Sequence, residues 1–428
     1  MSDRTILVWF RNDLRIHDNE ILFEATRKAD KVLPVYCFDP HYFSLDAEKH
    51  ILKTGNVRAQ FLLESIADLR QNLRKLGGEL LIVHGNPAEM IPQLAELYQV
   101  NEVYHHREVA IEETTISEEV ESALWKMKLN LKHFIGHTLY HKEDLPFPIK
   151  DIPDSFNTFK KKVERDSNVR PCIATPENIV TPLIADPGEL PSLQQLGLSL
   201  PIPDTRAANT FKGGETAAWQ QLEQFLISYG LSHNGKNNRN NVSSRLSPWL
   251  SFGCVSPRQV YWEVMNHDQE SNNHPLMLEL LWRDYFRFMF KKYSRKFFDP
   301  EGFKDSAPEL ADNQDELFDQ WKTGTTGEPF IDASMHELNA TGFINNVSRQ
   351  ALSYYLVKNL KVDWTRGAKW FEEKLIDYSP ASNWGNWAYI AGVGNDSRDN
   401  RYFNPKTPAE LDPKGEYVKL WLTGEKVA

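Results

Sequence analysis

In the first 140 residues five short apolar runs alternate with amphipathic stretches, and this alternation limits the possible fold more than any other feature of the chain. The runs are ILVWF at 6–10, VLPVYCF at 32–38, LLIVHG at 80–85, EVYHH at 102–106 and HFIGHTLY at 133–140. The clearest helical segment between them is 56–76, where Val57, Phe61, Ile66, Leu69 and Leu73 form an apolar stripe beside charged positions. Strands that alternate with helices imply an α/β domain, a doubly wound parallel sheet covered on both faces. No G-x-G-x-x-G follows the first strand, so dinucleotide binding in the Rossmann manner is not indicated.

From 145 to 205 the pattern breaks, and ten of the 24 prolines fall there. This reads as a connector. Helical periodicity resumes at GGETAAWQQLEQFLISYG, 213–230, and continues with little strand character. The expected organisation is therefore an α/β domain at 1–140, a connector at 141–212 and an all-α domain at 213–428, as suits 428 residues, more than one core usually supports. Ten of the twelve tryptophans lie at or beyond Trp219, which assigns aromatic chemistry to the second half. MSDRTILVWF runs straight into a strand without the features of a signal peptide, and no apolar run is long enough for a membrane span. Cys37, Cys172 and Cys254 form no C-x-x-C pair, which excludes a disulfide framework and fits a reducing cytoplasm. His336-Glu337 is half of a zinc-protease motif without the second histidine, so no metal is expected. A net charge of -10 disfavours electrostatic coating of nucleic acid, so any DNA contact must be local.

Three segments carry candidate chemistry. Residues 376–404 read IDYSPASNWGNWAYIAGVGNDSRDNRYFN. Asn383 and Trp387 are four apart, so one helical face can offer a redox cofactor both a hydrogen bond and an electron donor. An aromatic-rich core helix is the commoner meaning of such spacing. Residues 243–253, SSRLSPWLSFG, place Ser243, Ser244 and Ser247 before a helix start, where hydroxyls and free N–H groups can hold a phosphate; ordinary N-capping uses the same residues. In ELLWRDYF at 279–286 a carboxylate and an aromatic ring stand close together. Beyond it Arg283, Arg287, Lys291 and Arg295 recur every four residues, and residues 282–299 hold six basic and two acidic side chains among eight aromatics. Such a stripe is either a solvated face or a surface that tracks phosphates.

Together with WFRNDLRIHDN at 9–19, these segments resemble the photolyase/cryptochrome family over essentially the whole chain. The resemblance implies an α/β domain joined to a helical FAD-binding domain. It implies that Tyr229 and the segment with Ser243, Ser244, Leu246 and Ser247 bind the diphosphate and ribitol of FAD, and that Arg283 reaches the flavin phosphates. Glu279 and Trp282 take the roles of residues that contact and pack on a pyrimidine dimer. Asn346 and Arg349 match flavin-pocket positions, with Asn346 also facing substrate. Asp377 matches the carboxylate that pairs with the arginine, and Asn383 the residue facing flavin N5. Trp387 and Trp364 match the first two members of the family's electron-donating tryptophan chain; Trp364 also reads as a core residue. TLYHKEDLPF at 138–147, Tyr389 in place of a second substrate-packing tryptophan, and GVGNDSRDNRYFN at 392–404 are similar to the DASH cryptochrome branch.

The implied activity is blue-light-driven repair of cyclobutane pyrimidine dimers, in that branch mainly in single-stranded DNA, which spares the cost of unpairing a duplex. A second chromophore, methenyltetrahydrofolate, is implied as well, with Glu108 and Glu143 as candidate contacts. A monomer is expected, and damaged DNA as partner. The alternative is a flavin light sensor without efficient repair. Four positions depart from the family: His233-Asn234 replaces Arg-Asn, Val347 replaces an arginine expected near the lesion phosphate, Ser379 replaces an aspartate, and Ala311 stands where a third tryptophan is expected. The last implies photoreduction that is either impaired or rerouted through Trp370 or a tyrosine.

Overall fold

The structure, a computed structural model, describes residues 3–46, 51–207, 210–233, 243–267, 275–304, 308–395 and 412–424; Asn234 and the stretch from 396 to 404 lie outside them. Five strands, β1 Thr5–Phe10, β2 Lys31–Phe38, β3 Leu81–His84, β4 Glu102–His106 and β5 Leu131–Phe134, pair in parallel in the order β3-β2-β1-β4-β5. The chain winds outward from β1 through β3, then returns to β1 and continues the other way through β4, the doubly wound topology. The helices among and after these strands are α1 Glu20–Lys28, α2 Asn56–Lys75, α3 Pro87–Leu97, α4 Ile111–Lys126 and α5 Phe156–Asp166.

β1 is buried along its whole length, because both faces of the sheet are covered. Leu7, Trp9, Leu33, Val35 and Val103 join Ile91 and Leu94 of α3 and Val120 and Leu124 of α4 in one apolar core. Phe61, Ile66, Leu69 and Leu73 of α2 are fully buried, as the apolar stripe at 56–76 predicts. Pro34 sits in a central strand without breaking it. The Val32 N–H donates to Val180 outside the β1–β2 ladder, and alternation places the Pro34 nitrogen on the same side, where no β1 carbonyl needs it.

Two expectations need correction. The fifth strand ends at Phe134, so most of the 133–140 run is not strand. The N–H groups of Leu139 and Tyr140 instead donate to the Asp284 carboxylate, both at 2.9 Å. The stretch read as connector contains α5, whose Phe156, Phe159 and Val163 form a buried i, i+3, i+7 stripe.

The chain forms two compact units, Met1–Phe43 with Gln60–Gly197 and Phe211–Lys292, and Ser44–Ala59 with Leu198–Thr210 and Tyr293–Ala428. They cross the sequence boundaries at 140 and 212. The first unit therefore also holds α6 Glu215–His233, α7 Ser247–Ser251, α8 Pro257–His267 and most of α9 Pro275–Tyr293. The second holds α10 Gln314–Thr323, α11 Pro329–Thr341, α12 Asn346–Tyr354, α13 Trp364–Lys374, α14 Pro380–Ala391 and α15 Glu416–Thr423. Among the described residues no helix is long and apolar enough to cross a membrane, and no group of three or more His, Cys, Asp or Glu could hold a metal ion.

Candidate functional site

In the first unit the charged loop after β1 is interior. Asp13, Arg15 and Asp18 are fully buried. Arg15 donates to the carbonyls of Asp18, Gly136 and Gly253, and Asp18 receives a two-pronged bond from Arg258 (2.6 and 3.0 Å) and one from Ser256. Gly253, at φ +63°, has no room for a side chain, since a Cβ would lie 2.0 Å from the Asn12 carbonyl oxygen. Glu215 likewise accepts the N–H groups of Ile16 and His17. These anchors precede α7, the segment of the serine cluster. α7 has Leu246 as N-cap and no side-chain cap bond, so ordinary capping does not account for the serines. Ser243 and Ser247 are exposed, with no hydroxyl partner among the described residues, while Ser244 is buried and its hydroxyl accepts from the Leu246 N–H at 3.4 Å. Tyr229 is buried on α6, 5.8 Å from the Phe225 ring.

α9 carries Glu279, Trp282 and Arg283 within about one turn. Glu279 is exposed, yet burial by surrounding protein raises its carboxyl above the usual range. Trp282 is partly exposed and lies face to face with Phe156 at 3.5 Å between ring centroids. Arg283 donates to the carbonyls of His137 and Leu250 and has no carboxylate ion-pair partner among the described residues. Burial and the neighbouring Arg287 pull it down to about 9, still protonated at neutral pH, and an anion would relieve both effects. Arg287 corrects the expectation of one solvated basic stripe. It is buried and pairs with Glu108 at 2.7 Å, while Lys291 and Arg295 are exposed.

Glu108 is thus engaged by Arg287 and by the Asn12 amide at 3.1 Å. Burial alone would raise its carboxyl, but nearby cationic groups outweigh it and hold the group well below the usual range. His137, 3.5 Å away, is itself pushed far down by burial and is neutral at pH 7, so Arg287 and Arg11 supply that field. Burial and the charge on Glu108 raise Glu113 to about 8, so the two carboxyls differ in protonation at neutral pH. Glu143 is exposed, 3.6 Å from both His141 and Arg170.

In the second unit Asn383 and Trp387 lie on α14, both buried. The Asn383 Nδ2 donates to the Ala368 carbonyl at 2.9 Å, and only the NH₂ end can make that bond. Its Oδ1 is left without a partner among the described residues. Arg349 donates to Asp377 at 2.8 Å and to the Ile344 carbonyl at 3.0 Å, and Asp377 keeps its second carboxylate oxygen buried and unpaired. Asn346 and Val347 are exposed at the start of α12, and Tyr389 is partly exposed. Ser379 is the N-cap residue of α14 but makes no side-chain cap bond.

The tryptophans fall into two aromatic groups. Trp387 stands edge-on to Phe371 (5.1 Å) and Trp321 (6.2 Å), and its indole N–H is buried without a partner. Trp364 stands edge-on to Trp384 (5.8 Å), with its indole N–H on the Pro300 carbonyl. A pocket of about 40 Å³ over Trp364 is lined by Pro300, Pro308, Glu309, Leu310, Val357 and Val362. Trp370 lies beside Phe318, which stacks on Trp321. His336 bonds the Trp421 carbonyl, a structural contact.

Sequence reasoning missed Asp18, Arg258, Glu215, Asp284 and Phe156, whose partners are distant in sequence.

Residues 6–178 match the DNA photolyase family model, and residues 276–426 match that of the FAD binding domain of DNA photolyase. A protein of Gloeobacter violaceus named cryptochrome DASH is 44% identical over 433 residues, covering 99% of this chain and 86% of that relative. A cryptochrome DASH of Xenopus laevis is 42% identical, covering 99% and 83%. The crystal structure of a Synechocystis sp. cryptochrome superimposes with a TM-score of 0.90 at 42% identity, covering 98% of this chain and 88% of that one. An archaeal photolyase from Sulfolobus tokodaii, described with two FAD molecules, does so with a TM-score of 0.81 at 26% identity, covering 98% and 90%. With its α/β layer, helical FAD-binding domain and near full-length similarity to proteins named cryptochrome DASH, the chain belongs to the photolyase/cryptochrome family.

Proposed function

We propose that this protein is a blue-light-driven, FAD-dependent lyase that splits cyclobutane pyrimidine dimers in single-stranded DNA. The observation that carries the substrate assignment is the juxtaposition on α9, three residues apart, of Glu279, an exposed carboxylate, and Trp282, an aromatic ring backed by Phe156. A carboxyl group can hydrogen-bond the Watson–Crick edge of an extruded base, and the ring can stack on it.

The residues also fit the flavin. In the second unit the buried unpaired oxygen of Asp377 and the partnerless Oδ1 of Asn383 are acceptors that a hydrogen-bond donor of the cofactor would satisfy; in the first, Arg283, without a carboxylate ion-pair partner among the described residues, would take an anionic group. Tyr229, Ser243, Ser244, Leu246, Ser247 and Arg283 would hold its phosphates and ribitol. Asn346, Arg349, Asp377 and Asn383 would hold its ring, and Trp387 and Trp364 would serve as electron donors. Bound FAD supplies light absorption and one-electron chemistry; the chain supplies position and field. Arg349, braced by Asp377 and the Ile344 carbonyl, keeps a positive charge in place in a weakly screened setting. Asn383, with one N–H on the Ala368 carbonyl, holds its amide in place with Oδ1 open as an acceptor.

Methenyltetrahydrofolate is the proposed second chromophore. Glu143 is open to contact it, whereas Glu108, committed to Arg287 and Asn12, would act through those two side chains. We assign the protein to the cytoplasm as a monomer, although some plant relatives are named as chloroplastic or mitochondrial.

A second reading, a flavin light sensor without efficient repair, is favoured by the apolar, exposed Val347. The deciding experiment is blue-light repair of a thymine dimer in a single-stranded oligonucleotide by purified, dithionite-reduced protein, with a dark control and a duplex comparison. Light-dependent repair supports the lyase. Bound FAD without repair supports the sensor, and loss of strand preference would remove the single-strand assignment.

A further inference from the structure

We infer that Phe156 is a positioning residue for substrate, holding the plane of Trp282 so that the indole is ready to stack on an extruded pyrimidine pair. The inference rests on the reading of α9 as the substrate helix. The two rings lie 3.5 Å apart between centroids and 9° from parallel. Aromatic quadrupoles prefer offset or edge-on arrangements to a face-to-face sandwich, so the surroundings must impose this one.

Those surroundings are tight. Tyr285 stands edge-on to both rings, at 5.5 Å from Phe156 and 5.7 Å from Trp282. Its hydroxyl donates to the carbonyl of Asp154, two residues before Phe156. Lys292 donates to the Ile152 carbonyl at 2.8 Å and to the Asp154 carboxylate at 2.9 Å. Phe159, one turn further along α5, packs on Tyr285 and Phe288. The start of α5 is therefore clamped to α9 at several points, and Phe156 cannot retreat from the indole. Phe156 is 4% exposed while Trp282 is partly exposed, so the pair has a fixed inner ring and an accessible outer one. An indole with one face filled cannot swing through that space, and a ring already ordered loses less freedom when it binds.

The test measures dark binding of holoprotein to a single-stranded oligonucleotide with or without one thymine dimer, by fluorescence anisotropy. Phe156→Leu keeps apolar volume but removes the flat face. It should lower dimer affinity about three- to tenfold, the size of one aromatic stacking interaction, with bound FAD and melting temperature near wild type and affinity restored by Phe156→Tyr. In a Trp282→Ala background Phe156→Leu should have no further effect, because a positioning residue acts only through the ring it positions. Equal losses in both backgrounds, or full dimer affinity in Phe156→Leu, would overturn the inference and leave the reading of α9 standing. No preference for the dimer in the wild-type protein would sink both. Where Phe156→Leu fails to fold, Phe156→Met takes its place in the same cycle: a loss of dimer affinity that vanishes in the Trp282→Ala background supports positioning, and an equal loss in both backgrounds overturns it.

Discussion

Gly367 is predicted to be the least replaceable small residue beneath the aromatic cluster of the second unit. A Cβ there would lie 2.3 Å from Cη2 and 2.7 Å from Cζ3 of Trp387, and 2.6 Å from a Leu356 methyl. Comfortable carbon contacts are about 3.5–4.0 Å, so the overlap exceeds about 1 Å. Trp387 is 1% exposed and hemmed by Phe371 and Trp321, so a rigid indole has nowhere to move. Overpacking costs about 1–3 kcal/mol, and alanine returns about 1 kcal/mol of helix propensity. With the overlap at the severe end, Gly367→Ala should destabilise by about 2 kcal/mol, about thirtyfold in the folded-to-unfolded ratio. Trp387→Phe removes the outer carbons that clash. In that background the Leu356 methyl, the end of a flexible side chain, can turn into the space vacated, and the same glycine change should be neutral or stabilising by up to about 1 kcal/mol, a reversal of sign. Urea unfolding of the four holoproteins, followed by circular dichroism, reads the cycle. An equal cost of Gly367→Ala in both backgrounds would refute the steric argument.

Arg349→Met should cost about 2 kcal/mol and weaken FAD retention, since it strands the buried Asp377 carboxylate; the partial exposure of Arg349 keeps the loss below the about 3–5 kcal/mol of a fully buried pair. Equal flavin content and midpoint would contradict it. Glu279→Ala should reduce dimer repair by at least about tenfold, the size of a hydrogen bond to a charged group, and leave the flavin spectrum unchanged; unaltered repair would remove Glu279 from the substrate site. Burial raises Glu215 and Asp284 to about 7 each, against the N–H groups they accept. Because the folded values lie above the unfolded ones, the stability they contribute is full below the ordinary carboxylate range and lost as pH rises through about 7. For Glu215 the loss amounts to ~3 kcal/mol. Glu215→Gln should therefore flatten the decline in urea midpoint between pH 5 and pH 8, and a profile parallel to wild type would show that Glu215 does not titrate there.

The parts of this molecule legible in sequence are those whose physics is local. β1, β2 and β4 announce themselves as apolar runs, and the stripe of α2 has the helical period. Asn383 and Trp387 share a face because they are one turn apart. What stayed hidden is non-local. Asp284 looks like one more surface charge on a basic stripe, and only the fold brings it to the N–H groups of Leu139 and Tyr140. Asp18 finds Arg258 and Ser256 across some 240 positions of sequence. α5 had a readable period in Phe156, Phe159 and Val163, but the proline density around it masked the signal. The serine segment could be read two ways because cap and phosphate site use the same residue types, and only the backbone shows Leu246 at the cap position with no side-chain cap bond.

The basic stripe has a measurable consequence for how an acidic chain can hold DNA. Spacing alone presents Arg283, Arg287, Lys291 and Arg295 as equivalent cations. The fold separates them: Arg287 is spent on Glu108, Arg283 on backbone carbonyls, and Lys291 and Arg295 remain exposed. Lys291 is pushed down by burial and by the like charges of Lys142 and Arg107, a strain that a phosphate would relieve. Each phosphate contact on a single strand contributes about -0.7 to the slope of log affinity against log salt. Lys291→Ala should therefore flatten the slope by about 0.7. The double change Glu108→Gln with Arg287→Gln removes the buried pair together, strands no charge and should leave the slope where it was, whatever it does to stability. Anisotropy titrations of a single-stranded oligonucleotide between low and moderate potassium chloride measure both. If the buried pair flattens the slope as much as Lys291→Ala does, Arg287 reaches the nucleic acid and its assignment to Glu108 in the working protein is wrong.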